Sequence, residues 1–250
     1  MIVLKTSREI SIIREAGKIS QKALQLAGEA VEPGVSTWEI DRIAREYIEK
    51  SGAIPSSLNY DGFPASTCIS VNEVVVHGIP SKSHILKKGD IVDIDLTVCY
   101  EGFNADNAWT FPCGEVSPEA QALLETTEQA LYRGIEQARP GNRVGDIGHA
   151  VQAYAEARNY SVVREFVGHG VGAKMHEDPS VPNYGTPGRG VRLLPGMVIA
   201  IEPMINAGGA DVKILSDGWT TVTRDGSLSA HFEHTVAITP DGPVILTRLD

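Results

Sequence analysis

The stretch GDIVDIDLTVCYEGFNADNAWTF, residues 89–111, reads as a β-hairpin with Glu101-Gly102 at its turn. Side chains alternate between the two faces of a strand. Val92, Ile94, Leu96 and Val98 therefore make one apolar row, with Asp93, Asp95 and Thr97 on the other face. A two-residue turn sets Thr97 opposite Asp106 and leaves Asp95 and Asp106 diagonal on that second face. Diagonal neighbours lie roughly 7–8 Å apart at Cα, within reach of one shared cation. Like charges so placed repel, and burying them unpaired is costly or forces protonation. A bound cation resolves the conflict. For Asp95 taken alone, a solvated strand face is the simpler reading, and a repeat elsewhere in the chain is what reverses it.

The repeat has an offset of 107 residues. EPGVSTWEIDRIAREYIEK, from Glu32, resembles RPGNRVGDIGHAVQAYAEA, from Arg139, with Pro33-Gly34 falling on Pro140-Gly141 and Tyr47 on Tyr154. Ala23-Leu24 falls on Ala130-Leu131 upstream, and LKKGDIVDIDL from Leu86 falls on LLPGMVIAIEP from Leu193 downstream. Each half reads helix, Pro-Gly turn, helix, then strands. The expected fold class is α/β (α+β), an antiparallel sheet with helices outside and an approximate two-fold axis. With no Pro/Gly/Ser-rich linker between them, the halves (about 1–115 and 116–250) are expected to form a single domain. The offset carries Asp95 onto Glu202. If the second hairpin is 20 residues longer, it also carries Asp106 onto Glu233.

EFVGHGVGAKMHEDP, residues 165–179, offers a nitrogen ligand in His169, which Gly168, Gly170 and Gly172 flank. A structural turn histidine is the competing reading. Four carboxylates and an imidazole form an oxygen-rich set suited to two divalent ions such as Mn, Fe or Co. Paired ions of this kind activate a bridging water and polarise a carbonyl, which is the chemistry of hydrolysis. Asp93 is expected behind the ligands or in solvent.

The chain has 250 residues, 42% hydrophobic and 22% charged, enough for one substantial core. A formal net charge of −10 argues against a nucleic-acid surface. Cys68, Cys99 and Cys113 lack CxxC spacing, so neither a disulfide framework nor a zinc ribbon is expected. The N-terminus carries charges throughout and has no apolar signal segment. No run approaches the roughly 18 apolar residues that would span a membrane. A cytoplasmic setting is expected. Thr6 and Glu9 form a capping box ahead of a helix with Ile10, Ile13 and Ala16 on one side.

VNEVVVHGIP, DIDLTVCYEGFNADNAWTF, VGHGVGAKMHEDP, IAIEPM and SLSAHFEHT resemble, in order and spacing, the signatures of type I methionine aminopeptidases. The likeness covers nearly the whole chain. It implies the pseudo-symmetric pita-bread fold and an enzyme that removes the initiator methionine from nascent polypeptides, preferring a small second residue, by attack of a metal-bridging water. The implied cofactors are two divalent ions (Co, Mn, Fe or Zn). Asp95, Asp106, His169, Glu202 and Glu233 would be the ligands, with Asp106 and Glu233 bridging. Glu202 would also relay protons, His176 would donate to the scissile carbonyl oxygen, and His77 would contact the substrate amide. Tyr60, Phe63, Cys68, Met175 and Trp219 would line the methionine pocket. The implied partners are nascent N-termini, met by a monomer with no membrane and no specific nucleic acid. Transient ribosome docking also belongs to the resemblance, although the acidic net charge gives it no support.

This sequence departs from the family pattern at Phe63, where tyrosine is common, and at Met175, where phenylalanine is. It also has Asn104-Ala105 where His-Gly is usual, beside a ligand position. An X-Pro peptidase of the same fold is the competing enzyme, and a ligand-depleted binding module the competing non-enzyme; the filled ligand positions weigh against the module.

Overall fold

The computed structural model of the protein describes residues 1–248. At its centre stand β1 (Ile91–Tyr100) and β2 (Phe103–Pro112), the hairpin of the opening stretch. Their pairing runs unbroken from Ile91↔Pro112 to Tyr100↔Phe103, with Thr97 opposite Asp106 and Asp95 opposite Ala108. Glu101 and Gly102 both take positive φ, 46° and 82°. That is the type I′ geometry whose twist matches the flanking strands.

Two further strands complete the middle of a nine-stranded sheet, β3 (Val198–Ile201) and β4 (Glu233–Thr239), in the order β1-β2-β4-β3. Helices α1 (Ser7–Glu29), α2 (Thr37–Lys50), α3 (Pro118–Gln137) and α4 (Val144–Glu156) cover the apolar rows. Val92, Ile94, Leu96 and Val98 are fully buried against Ala23, Leu24, Ile40, Ala44 and Ile48 of α1 and α2. Ile199, Ile201, Val236 and Ile238 pack likewise against Leu123, Leu131, Ile147 and Val151 of α3 and α4. Each such side chain contributes about 1.5–3 kcal/mol by leaving water, so these two clusters fix which face of the sheet is left for chemistry. α1 starts where expected: Thr6 Oγ1 accepts from Glu9 N at 3.3 Å and the Glu9 carboxylate accepts from Thr6 N at 2.7 Å.

The repeat is visible bond by bond. Gly34 N donates to Leu86 O at 2.9 Å, and Gly141 N to Leu193 O at 3.1 Å, each Gly taking φ near 95°. Bridges Ser36↔Ile85 and Arg143↔Arg192 recur at the same offset, as do Ile54↔Cys99 and Ser161↔Asn206.

The returning strand of the second half corrects the expected alignment. Cys99↔Asn104 in the first half matches Asn206↔Ser229 in the second, so that strand lies 125 residues behind its counterpart and the inserted loop is 18 residues rather than 20. By register, His231 is the partner of Asp106, and Glu233 stands at the place of Ala108. The sequence signal for the longer loop had been the match of acid to acid. The backbone aligns a histidine with an aspartate instead, and Glu233 lies directly opposite Ala108 across the seam between β2 and β4. Among the described residues, no helix is long and apolar enough to cross a membrane.

Candidate metal centre and its cavity

The face of the sheet left bare by the helices opens into a cavity of about 920 Å³. All twelve side chains singled out from the sequence line it: Asp95, Asp106, His169, Glu202 and Glu233 with His77 and His176, then Tyr60, Phe63, Cys68, Met175 and Trp219. The acidic face of β1 is therefore not a solvated one.

Ligand atoms of Asp106, His169 and Glu233 all lie within 4.8 Å of one another. His169 Nε2 is 3.7 Å from Asp106 Oδ2 and 3.5 Å from Glu202 Oε1. Its other nitrogen, Nδ1, sits 2.9 Å from Gly170 O. A carbonyl only accepts, so Nδ1 carries the proton and Nε2 presents its lone pair to the carboxylates. Close passage of this segment requires glycine: a Cβ on Gly168 would meet Ala200 O at 2.3 Å, and one on Gly170 would meet Asp178 O at 2.2 Å.

Burial, and then neighbouring carboxylates, push Asp95, Glu202 and Glu233 well above the usual carboxylate range. Glu233 Oε1 is buried without a hydrogen-bond partner. Asp106 is steadied by Thr97, whose hydroxyl donates to Oδ1 at 2.7 Å. Self-repelling carboxylates, an orphaned oxygen and an imidazole lone pair aimed among them are the donor set a hard or borderline divalent cation satisfies. The residues present fit such ions.

His231, not assigned from the sequence, joins this group together with Asp93. His231 is buried with Nδ1 3.4 Å from Asp93 Oδ2 and Nε2 3.8 Å from Glu202 Oε2. Burial opposes a charged ring there, but Asp93, Asp95 and Glu202 outweigh it and lift His231 to about 9. Asp93 is thus neither solvated nor among the closest carboxylates but behind them. The alternation in HFEH already placed His231 on the face of Glu233, and that signal was there to be read.

On the cavity wall, Tyr60 OH lies 2.8 Å from His176 Nδ1, and the His176 ring stands edge-on to His169 at 4.3 Å. His77 ends strand Val74–Val76 with φ 60° and stands edge-on to Phe166 at 5.3 Å. Burial first, then His231 and His176, lowers its pKa to about 4, so it is neutral at pH 7. Phe63 packs edge-on against Trp219 at 5.2 Å beside Cys68. Burial, then the nearby aspartates, push the Cys68 thiol up, which suits an inert apolar wall. Asn104, the departure beside Asp106, uses its amide elsewhere. Its Nδ2 donates to Gly172 O at 2.9 Å, and its Oδ1 accepts from Ser56 Oγ at 2.7 Å.

The profile of metallopeptidase family M24 matches residues 11–240. The chain belongs to this family. A methionine aminopeptidase of Clostridium perfringens is 57% identical over the full length of both chains, and methionine aminopeptidase 1 of Bacillus subtilis 53% over the same span. The solved methionine aminopeptidase of Thermotoga maritima superposes with a TM-score of 0.98 at 43% identity, covering all of both chains. The prolidase of Pyrococcus horikoshii superposes less well, with a TM-score of 0.78 at 25% identity and 65% of that chain covered. Membership makes the protein a metallopeptidase with the pita-bread fold that the resemblance implied and the repeat agrees with.

Proposed function

We propose that the protein removes the N-terminal methionine from newly made polypeptides in the cytoplasm, favouring a small second residue, with residues 1–250 acting as one catalytic unit. The observation that carries this is one cavity with carboxylates and His169 at one end and an apolar wall of Phe63, Cys68, Met175 and Trp219 beside them. In this reading Asp95, Asp106, His169, Glu202 and Glu233 would hold two divalent ions. Bound there, the ions supply Lewis acidity that polarises the scissile carbonyl and acidifies a water.

The chain's own groups do the rest. With the Tyr60 hydroxyl 2.8 Å from His176 Nδ1 taken as the donor in this reading, the His176 proton sits on Nε2, the atom that donates to the carbonyl oxygen as negative charge develops on it. Glu202 takes the proton of the attacking water and returns it to the leaving amine as the C–N bond breaks. Neutral His77 stands near that amine as a hydrogen-bond partner. The thioether enters the Phe63–Trp219 pocket, where a flexible apolar chain is received without polar demands.

The test is mass spectrometry of short peptides incubated with Mn- or Co-loaded protein, comparing Met-Ala, Met-Lys, Leu-Ala and Ala-Pro starts. Loss of Met from Met-Ala alone is expected. Cleavage only before proline would transfer the assignment to the X-Pro peptidases, and no cleavage by protein holding two ions would leave a binding module.

A further inference from the structure

The first five residues run along the mouth of the cavity, and both charged groups of that segment pair with the residues directly after His176. The Met1 ammonium pairs with Asp178, both largely exposed. Lys5 Nζ lies 2.5 Å from Glu177 Oε2, with side chains only 2% and 11% exposed. Lys5 Nζ also donates to Val3 O at 3.1 Å, and Lys5 N to Gly196 O at 2.7 Å, at the turn before β3. The second oxygen of Glu177 accepts from Lys174 N at 3.1 Å and so closes a turn within the loop. The fit allows no slack at Gly172, where a Cβ would stand 2.5 Å from both Glu177 Oε1 and Lys5 Cε. At the other end of the loop, Asn104 N and Nδ2 both donate to Gly172 O at 2.9 Å.

Lysine is almost never buried without a partner. Here the partner is the residue adjoining His176, on a segment that the Gly170↔Glu177 pairing and the two Asn104 bonds to Gly172 also hold. We propose that the Lys5–Glu177 pair is a brace that positions His176 against Tyr60 and His169, so that the N-terminal segment is part of the catalytic apparatus. Lys5 and Glu177 are positioning residues, acting through His176, and the inference rests on the role given above to that histidine. The exposed Met1–Asp178 pair is a different matter, since solvated ion pairs of this kind contribute little.

The experiment compares Lys5→Met, Glu177→Gln, their double variant, Asp178→Asn and His176→Gln, all Mn-loaded, for kcat, KM, bound metal and melting temperature. Lys5→Met strands a nearly buried carboxylate, and the double variant removes that charge so that the fold survives. The expected result is a fall in kcat of about 10- to 100-fold, the scale of a small misplacement of a catalytic group, in Lys5→Met and in the double variant. KM and metal content should stay within about two-fold. Glu177→Gln, which keeps one acceptor oxygen for Lys5 or Lys174 N but not both, should lose less than Lys5→Met, and Asp178→Asn should match the parent.

Wild-type kcat in the double variant overturns the brace, as does a loss of metal parallel to the loss of kcat or an Asp178→Asn defect as large as that of Lys5→Met. If His176→Gln also keeps full kcat, the role assigned to His176 falls with it. If that variant is inactive while the brace variants are not, only the brace falls.

Discussion

His234 offers a test of the sheet's helix-covered face that is independent of the chemistry on the other. Its side chain points away from Glu233, next to it on β4, and lies among Trp109, Tyr132 and Thr247, with Nδ1 2.9 Å from Thr247 Oγ1. It is 4% exposed. Burial, with a smaller contribution from Arg248, lowers its pKa from 6.5 to about 4. The native state therefore keeps the ring neutral while the unfolded chain protonates it near 6.5. Between those values the unfolded state binds the extra proton, so native stability is lost as pH falls from about 6.5 to about 4. At about 1.4 kcal/mol per unit, the full window amounts to roughly 3 kcal/mol. His234→Gln keeps a polar partner for Thr247 and removes the titration. Urea unfolding of metal-free wild type and variant at pH 7.5, 5.5 and 4 isolates the contribution, because the other titrating groups are common to both. The advantage of wild type over variant should shrink by about 3 kcal/mol across the series. A gap constant to within about 0.5 kcal/mol would refute the reasoning, since it would mean that the native core accommodates the charged ring.

Three further outcomes follow from particular contacts. Thr97→Val removes the hydroxyl that donates to Asp106 Oδ1 at 2.7 Å and should weaken divalent metal binding about 10- to 100-fold, read by competition with a fluorescent chelator. Glu101→Asn relieves a positive φ of 46° at the hairpin turn and should raise stability by about 0.5–1 kcal/mol; a decrease would contradict the type I′ assignment. Gly28→Ala drives a Cβ to 2.3 Å from the Phe111 ring. Overpacking of about 1–3 kcal/mol exceeds the gain in helix propensity of at most about 1, so thermal melting should fall.

The hairpin was legible because period-two alternation and a Glu-Gly turn leave one register, and that register set Asp95 and Asp106 diagonal on one face without long-range information. The matched Pro-Gly pairs likewise announced the second half, since each demands the same left-handed glycine. The returning strand was less legible. An inserted loop erases the fixed offset, and matching Glu233 to Asp106 by charge proved two residues out against the backbone pairing. Contacts between distant segments were illegible for another reason. Lys5 and Glu177 are 172 positions apart, and nothing in either local pattern marks a lysine as buried. Asn104 stood out only as a departure from the family pattern beside a ligand position, whereas it ties the hairpin to the loop of His176.

Among the described residues, β2 and β4 join through two residue pairs, Ala108↔Glu233 and Asn107↔His234. The proposed ligands fall on both sides of that seam, Asp95 and Asp106 on one, His169, Glu202 and Glu233 on the other. A divalent ion that these residues would hold would also clasp the two halves together. Neither half carries the set alone, so the centre exists only while the two halves are held in register across that short seam.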